Sequence, residues 1–115
     1  MHYTLQDYSF GSVTINGQRH TTDLIICGNN VVSNWQREQG HSLVPDDIAL
    51  HLPEGTRVLV IGCGAHGMLK VPQKTIDWCR TKNITLIAEP TAIACKTYNT
   101  MAHQGNIVAG LHLTC

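Results

Sequence analysis

Three strongly apolar runs in the second half of the chain limit its fold more than any other feature. They read RVLVIG, ITLIAE and NIVAGLHL, and two helix-like stretches, 72–83 and 91–105, separate them. Strands that are buried on both faces read as continuous apolar runs, and parallel strands need a crossover that is usually helical. The second half therefore predicts a β-α-β-α-β series, with helices packed on a sheet.

The first half predicts an antiparallel β meander. SVTING (12–17) alternates apolar and polar residues and ends in Asn16-Gly17, a strong hairpin signal. QRHTTDLIIC is predicted as one further strand, and VVSNW (31–35) as a short third strand. LVPDDIALHL (43–52) predicts a short helix, because a proline suits the first turn and two acids follow it.

These elements together predict the fold class and the domain organisation. We expect a three-layer α/β fold whose mixed central sheet combines the β-α-β-α-β half with the preceding antiparallel meander. A chain of 115 residues is long enough for one hydrophobic core and too short for two. The prediction is a single domain over residues 1–115.

Composition and charge exclude several classes of protein. The charged fraction is only 14%, and eight basic residues balance eight acidic ones. No basic face is visible, so we expect no nucleic-acid partner. The longest apolar runs are strand-sized, so we expect no membrane span. Five cysteines without the dense spacing of a disulfide framework are typical of reduced thiols. The start of the sequence lacks the features of a signal or transit peptide. We therefore expect a cytoplasmic protein.

The stretch VLVIGCGAHG carries the glycine spacing of a dinucleotide-binding turn. The glycines are Gly62, Gly64 and Gly67, and Glu89 ends the next apolar run, where a ribose-binding acid is expected. A nucleotide fold would begin its helix inside this motif, which would place Pro72 about two turns into that helix, where proline costs roughly 3 kcal/mol. The chain is also too short for a nucleotide fold, because half of such a fold would be missing. We therefore expect a long loop over 62–71 and no NAD, FAD or other cofactor.

A second constellation imitates a Cys₂His₂ zinc set. It pairs Cys63-x-x-His66 with His112-x-x-Cys115. On a continuing strand His112 and Cys115 would face opposite ways, and they would converge only if the chain turned after Leu113. We therefore expect no metal site. His41, followed by two aspartates, is interpreted as a loop histidine rather than as an acid/base group.

If strands 58–61 and 84–89 are adjacent and parallel, the 62–71 loop lies beside the helix that starts at Thr91. Open α/β sheets bind ligands at this edge, and a helix start can hold an anion. The ligand-binding candidates are Gly62, Gly64, His66, Thr91, Cys95, Tyr98 and Asn99, and we assign no catalytic residue. The structural alternatives are that Thr91 is a helix N-cap, that Cys95 fills the core, and that the tyrosine and asparagine make internal hydrogen bonds.

The second half resembles the domain of unknown function 498 family. The pieces that carry the resemblance are the strand ending IGCG, the helix after KVP, the segment TAIACKTYN and the ending GLHLTC. FGSVTINGQ, a tryptophan near position 35, GHSL and PDDI extend it loosely into the first half. The chain departs from the family pattern at Cys63, where a cysteine is uncommon.

The resemblance implies a three-layer α/β fold and no established enzymatic activity. Eukaryotic branches of the family look like accessory proteins, one in assembly of mitochondrial complex I and one linked to adipocyte differentiation. We therefore expect a non-enzymatic accessory or binding module with a protein partner, in an oligomeric state that the sequence leaves open. The alternative is a small-ligand-binding protein or an enzyme that uses the cleft between loop 62–71 and Thr91.

Overall fold

The computed structural model describes residues 3–115 and contains, over that range, two β-sheets and three α-helices. The strands are β1 (Leu5–Ser9), β2 (Ser12–Ile15), β3 (Gln18–His20), β4 (Leu24–Cys27), β5 (Asn30–Ser33), β6 (Val58–Cys63), β7 (Thr85–Glu89) and β8 (Ile107–His112). The helices are α1 (Asp46–Ala49), α2 (Gln73–Thr81) and α3 (Thr91–Met101), and a 3₁₀ turn over Ala102–Gln104 follows α3.

The central sheet has five strands in the order β5-β4-β8-β6-β7. The strands β6, β7 and β8 run parallel, whereas β4 pairs antiparallel with both β5 and β8. All six residues of β8, the middle strand, are buried. The β-α-β-α-β series and the mixed sheet predicted from the apolar runs are both confirmed.

Two apolar clusters on opposite faces of this sheet make the fold three-layered. One face packs on α3 and on a small three-stranded sheet, through side chains such as Val13, Leu24 and Tyr98. The other face packs on α1, α2 and the segment after β5, through side chains such as Ile25, Trp35 and Cys79. Alternate residues of the same strand supply the two clusters, as the pleat of a strand requires.

The small sheet, β1-β2-β3, corrects part of the predicted meander. Asn16 and Gly17 form the expected hairpin turn, and both have positive φ. QRHTTDLIIC, however, is two strands in different sheets, because the chain turns out of β3 before Asp23. The strand β1 was not predicted, since Asp7 has a φ of 54° and the pairing register shifts between Gln6 and Ser9.

The helices begin near the expected residues. Pro72 is the N-cap of α2 rather than its first residue, so the preceding segment is the loop that the proline predicts. The helix predicted over 43–52 is only the four residues of α1. Pro45 is its N-cap, and at the other end the His51 N–H bonds the Ile48 carbonyl three residues back, so the α-helical bonding pattern stops there. No helix within 3–115 is long and apolar enough to cross a membrane.

Candidate functional site

The carboxyl ends of the three parallel strands meet at one edge of the central sheet. Gly62 of β6 lies level with Glu89 of β7 on one side and with Leu111 of β8 on the other, and Cys63 lies level with His112. The condition on which the candidate site depends, adjacent and parallel strands at 58–61 and 84–89, is therefore met. Residues 62 and 63 of the predicted loop 62–71 belong to β6, and the rest of the loop follows β6 at this edge and contacts the start of α3.

Thr91 joins three elements at this edge. Its hydroxyl donates a hydrogen bond to the His112 carbonyl at 2.6 Å and accepts one from the Gly64 N–H at 2.8 Å. Its own N–H donates to the Gly64 carbonyl at 3.1 Å. The prediction that Thr91 is the N-cap is wrong, because Pro90 holds that position and the threonine side chain is fully buried. Its hydroxyl bonds the neighbouring segments instead of the helix end.

Two glycines of the G-x-G-x-x-G spacing, Gly62 and Gly64, are needed for this packing. A Cβ at Gly62 would lie 2.9 Å from the Thr91 hydroxyl, and a Cβ at Gly64 would lie 2.3 Å from the carbonyl carbon of Cys115. Gly64 also has a φ of 98°, a backbone conformation that residues with a Cβ rarely adopt. The glycine spacing therefore permits close contact between segments of this chain.

The segment 112–115 covers the loop where a nucleotide phosphate would lie. The Ala65 N–H donates to the Thr114 carbonyl at 2.6 Å, and the Met68 N–H donates to the Cys115 carbonyl at 3.0 Å. These N–H groups are the donors that a phosphate-binding turn offers to its ligand. The chain uses them internally at this edge.

The other candidates on α3 face the small sheet. Cys95 is buried, and burial raises the pKa of its thiol to about 11. Tyr98 is also buried, and burial raises the pKa of its phenol. Asn99 bonds both backbone groups of Leu5, accepting from its N–H at 2.8 Å and donating to its carbonyl at 2.7 Å. The burial of Cys95 and the hydrogen bonds of Asn99 match the structural alternatives stated above.

The candidates thus fall into three places. Gly62, Gly64 and Thr91 lie together at the edge of the sheet. A second group lies along α3, on the side of the helix that faces the small sheet, and consists of Cys95, Tyr98 and Asn99. His66 is exposed, and its ring centroid lies 6.4 Å from that of Phe10.

A buried ion cluster at the same edge was not predicted from the sequence. Asp23 lies 2.7 Å from His112 Nδ1 and accepts hydrogen bonds from Arg37 at 3.0 Å and from the Leu113 N–H at 2.8 Å. Burial alone would raise the pKa of Asp23, but the hydrogen bonds from His112, Leu113 and Arg37 outweigh it and lower that pKa. Arg37 also lies over the ring of Trp35, 4.8 Å from its centroid.

His41 and Cys115 complete this corner of the molecule. Cys115 Sγ lies 3.3 Å from His41 Nε2, and the rings of His41 and His112 meet edge to face at 5.7 Å. His112 Nε2 is buried and has no hydrogen-bond partner. The chain does turn after Leu113, so His112 and Cys115 converge, but on His41 rather than on Cys63 and His66, the other pair of the zinc-like pattern.

Sequence spacing paired His112 with Cys115 but gave no signal for the rest of this grouping. His41 lies in a loop before α1, and Asp23 and Arg37 flank β4 and β5, far along the chain from His112. Asp47, which follows His41 in sequence, bonds instead to the N–H groups of Glu38 and Val44. The order of strands in the central sheet and the backbone bonds of loop 62–71 to His41 and Cys115 bring these side chains together.

Residues 5–113 match the profile of a family described as protein of unknown function, DUF498/DUF598. The chain belongs to this family. The match confirms the resemblance found in the sequence and extends it over both halves of the chain.

Solved structures with the same fold come from several organisms. A conserved hypothetical protein from Pyrococcus horikoshii is 24% identical, with a TM-score of 0.81 over 97% of this chain and 99% of its own. An outer membrane protein from Bartonella henselae is 21% identical, with a TM-score of 0.80 over 99% and 97%. A Mth938-like domain from Bordetella pertussis is 19% identical, with a TM-score of 0.73 over 96% and 85%. At these identities the likeness establishes the fold.

Proposed function

We propose that this protein is a non-enzymatic accessory module that binds a protein partner at the carboxyl edge of its central sheet. The observation that carries the proposal is a group of exposed apolar side chains around segment 112–115. Phe10, Met68 and Ile93 are 62%, 46% and 49% exposed. Large apolar side chains gathered on one surface mark contact sites for proteins.

Backbone contacts at or near these three residues support the grouping. Gly11, next to Phe10, donates its N–H to the Leu113 carbonyl at 2.8 Å, and Met68 bonds Cys115. Ile93 lies in the first turn of α3, which Thr91 ties to the same loop. We call the surface formed by Phe10, Met68 and Ile93 the apolar rim.

The alternative, a small ligand or substrate in the cleft between loop 62–71 and Thr91, has less support. The hydroxyl of Thr91 and the N–H groups of Gly64, Ala65 and Met68 already bond partners within the chain. A ligand there would have to displace segment 112–115. The five free cysteines suit a reducing compartment, and we propose that the module acts in the cytoplasm without a nucleic-acid partner.

The experiment compares the apolar rim with an exposed leucine elsewhere. A photo-crosslinking residue replaces Phe10 in one protein and Leu50, which is 93% exposed after α1, in another. We expect a discrete heterologous adduct from position 10 in native cells and none from position 50. The adduct should be lost when Met68 and Ile93 are both changed to serine.

Three outcomes would contradict the proposed function. One is an equal set of adducts from both positions, which would indicate non-specific contact. Another is an adduct that persists in the Met68→Ser, Ile93→Ser variant. The third is an adduct formed only between two copies of this chain, which would make the apolar rim a self-association surface.

A further inference from the structure

We propose that His41, His112 and Cys115 form a zinc-binding site with one coordination position open. One ring nitrogen of each histidine and the sulfur of Cys115 lie within 4.8 Å of one another. Two imidazole nitrogens and a thiolate are a ligand set that zinc favours. This proposal stands apart from the proposed partner surface and uses none of its three side chains.

One ligand pair already has the spacing that the ion needs, and the others, which lie at most 4.8 Å apart, must shorten by no more than about 1.5 Å. A tetrahedral zinc with bonds of about 2.0 Å to nitrogen and 2.3 Å to sulfur holds its ligand atoms roughly 3.3 to 3.6 Å apart. The pair Cys115 Sγ and His41 Nε2 is already at 3.3 Å. His41 is exposed and Cys115 is half-buried, so both side chains have room to adjust toward His112.

The buried histidine is prepared for a metal by its neighbours. Asp23 lies 2.7 Å from His112 Nδ1, and Arg37 holds the same carboxylate oxygen. Because an ionised carboxylate only accepts hydrogen bonds, its contact with Nδ1 favours the tautomer with the proton on Nδ1, and in the neutral ring of that tautomer Nε2 carries the lone pair that a metal needs. Nε2 is buried with no partner, in a side chain that is 7% exposed. A carboxylate behind a histidine is the usual support of a zinc ligand.

Loop 62–71 fixes both segments that carry the remaining ligands. The Met68 N–H donates to the Cys115 carbonyl, and the Lys70 N–H donates to the His41 carbonyl at 2.9 Å. Gly64 lets the 112–115 backbone lie against the loop, since a Cβ there would overlap Cys115. The three ligands therefore lie on backbone held within one network, which lowers the entropy lost on binding.

Three protein ligands leave the fourth tetrahedral position of zinc open. Structural zinc sites are closed by four protein ligands, whereas an open position admits water or an outside ligand. The sulfur and one histidine are accessible at the surface, so that position faces the solvent side of the corner. An outside thiolate, imidazole or carboxylate is the chemistry that would complete the site.

The test is zinc binding by the purified full chain, measured by competition with a chromogenic chelator under reducing conditions. We expect one zinc per chain, and affinity reduced by at least about tenfold in His41→Ala and in Cys115→Ser. His103→Ala and Cys27→Ser are the matched controls, since they remove an exposed histidine and a half-buried thiol elsewhere. Both controls should keep wild-type affinity.

A cobalt(II) spectrum gives a readout that folding alone would not move. A sulfur-to-cobalt charge-transfer band should appear in wild type and Cys27→Ser and be absent in Cys115→Ser, with circular dichroism showing that each variant is folded. Zinc should also protect Cys115 from alkylation. Wild-type affinity in both His41→Ala and Cys115→Ser, or no saturable binding by the wild-type chain, would overturn the proposal.

Discussion

The two ends of the central sheet differ in how far the chain itself fills them. At the carboxyl end of β6, Thr91 and the backbone of loop 62–71 are bonded to segment 112–115. At the amino end, an open pocket of about 350 Å³ lies between the residues around α1 and the end of α2, and Trp78 and Lys82 are among its lining residues. One end is filled by the chain itself, and the other is open.

This difference indicates what each end can bind. Ligands of open α/β sheets usually lie at the carboxyl ends of the strands, where loop N–H groups meet an anion. Here those N–H groups are occupied, and the potential metal-ligating atoms of His41, His112 and Cys115 lie close together beside them. The carboxyl end therefore suits a metal ion and a protein surface better than a nucleotide.

The largest expected effect comes from adding one methyl group at the filled end. Gly64→Ala combines a φ of 98° with a Cβ 2.3 Å from the Cys115 backbone, and should cost about 3 kcal/mol or more of unfolding free energy. Gly55→Ala is the matched control, since Gly55 has a φ of 89° but open space around it. It should cost about 1 kcal/mol.

Urea denaturation measures both variants. Because both glycines have positive φ, the difference in unfolding free energy between the two variants isolates the cost of close packing from that of backbone conformation. Equal destabilisation would show that segment 112–115 does not lie against loop 62–71 in solution, and the contrast between the two ends would fail.

The next largest effect concerns thiol reactivity. Because burial raises the pKa of Cys95 to about 11, from an ordinary 9.0, its thiolate fraction at neutral pH should be about 100-fold lower than that of a free thiol. Alkylation at pH 7.5, followed residue by residue by mass spectrometry, should find Cys95 slower than glutathione by at least that factor. A rate equal to that of glutathione would restore Cys95 as a candidate nucleophile.

Removing one hydroxyl should have a moderate effect. Thr91→Val leaves the Gly64 N–H and the His112 carbonyl without their buried partner, and should cost about 2 kcal/mol. Thr56→Val is the control at the open end, where the threonine hydroxyl bonds the Pro53 carbonyl at an exposed position. It should cost less than about 1 kcal/mol in the same denaturation assay. A larger loss from Thr56→Val would reverse the contrast.

The smallest expected effect is a pH dependence from Asp23. Its pKa is lower in the folded chain than in the unfolded chain, so its stabilising contribution is present above the unfolded value of about 3.9. That contribution is lost as pH falls through the folded pKa. Between about pH 5 and pH 3, with a chelator present, the urea midpoint of wild type should fall more steeply than that of Asp23→Asn. Parallel slopes would contradict the ion cluster.

Much of the fold was predictable because some residues determine the backbone conformation of their own segment. Pro72 marks the start of α2 because proline at that point would break a longer helix, and Asn16-Gly17 marks the hairpin. Continuous apolar runs gave β6, β7 and β8. The strand β1 escaped prediction because the irregular backbone at Asp7 interrupts the alternation of apolar and polar residues that indicates a strand.

The site was less predictable because tertiary contacts define it. Thr91 suits an N-cap by residue type, but its hydroxyl bonds two segments that sequence alone does not place nearby. The same holds for His41, which meets Cys115 only after the chain turns beyond β8. Spacing rules did identify the region, since Gly62, Gly64 and Thr91 do lie together.

The position of β8 in the sheet has a consequence for how the protein is made. Strands β4 and β5 pair as a hairpin, and β6 pairs with β7 across one helix, so both halves can form as the ribosome delivers them. They cannot join until β8, the last strand in chain order, enters between β4 and β6. Until then each half exposes an unpaired strand edge, a recognised source of aggregation. A ribosome stalled before residue 107 would therefore hold two half-sheets that need protection by a chaperone.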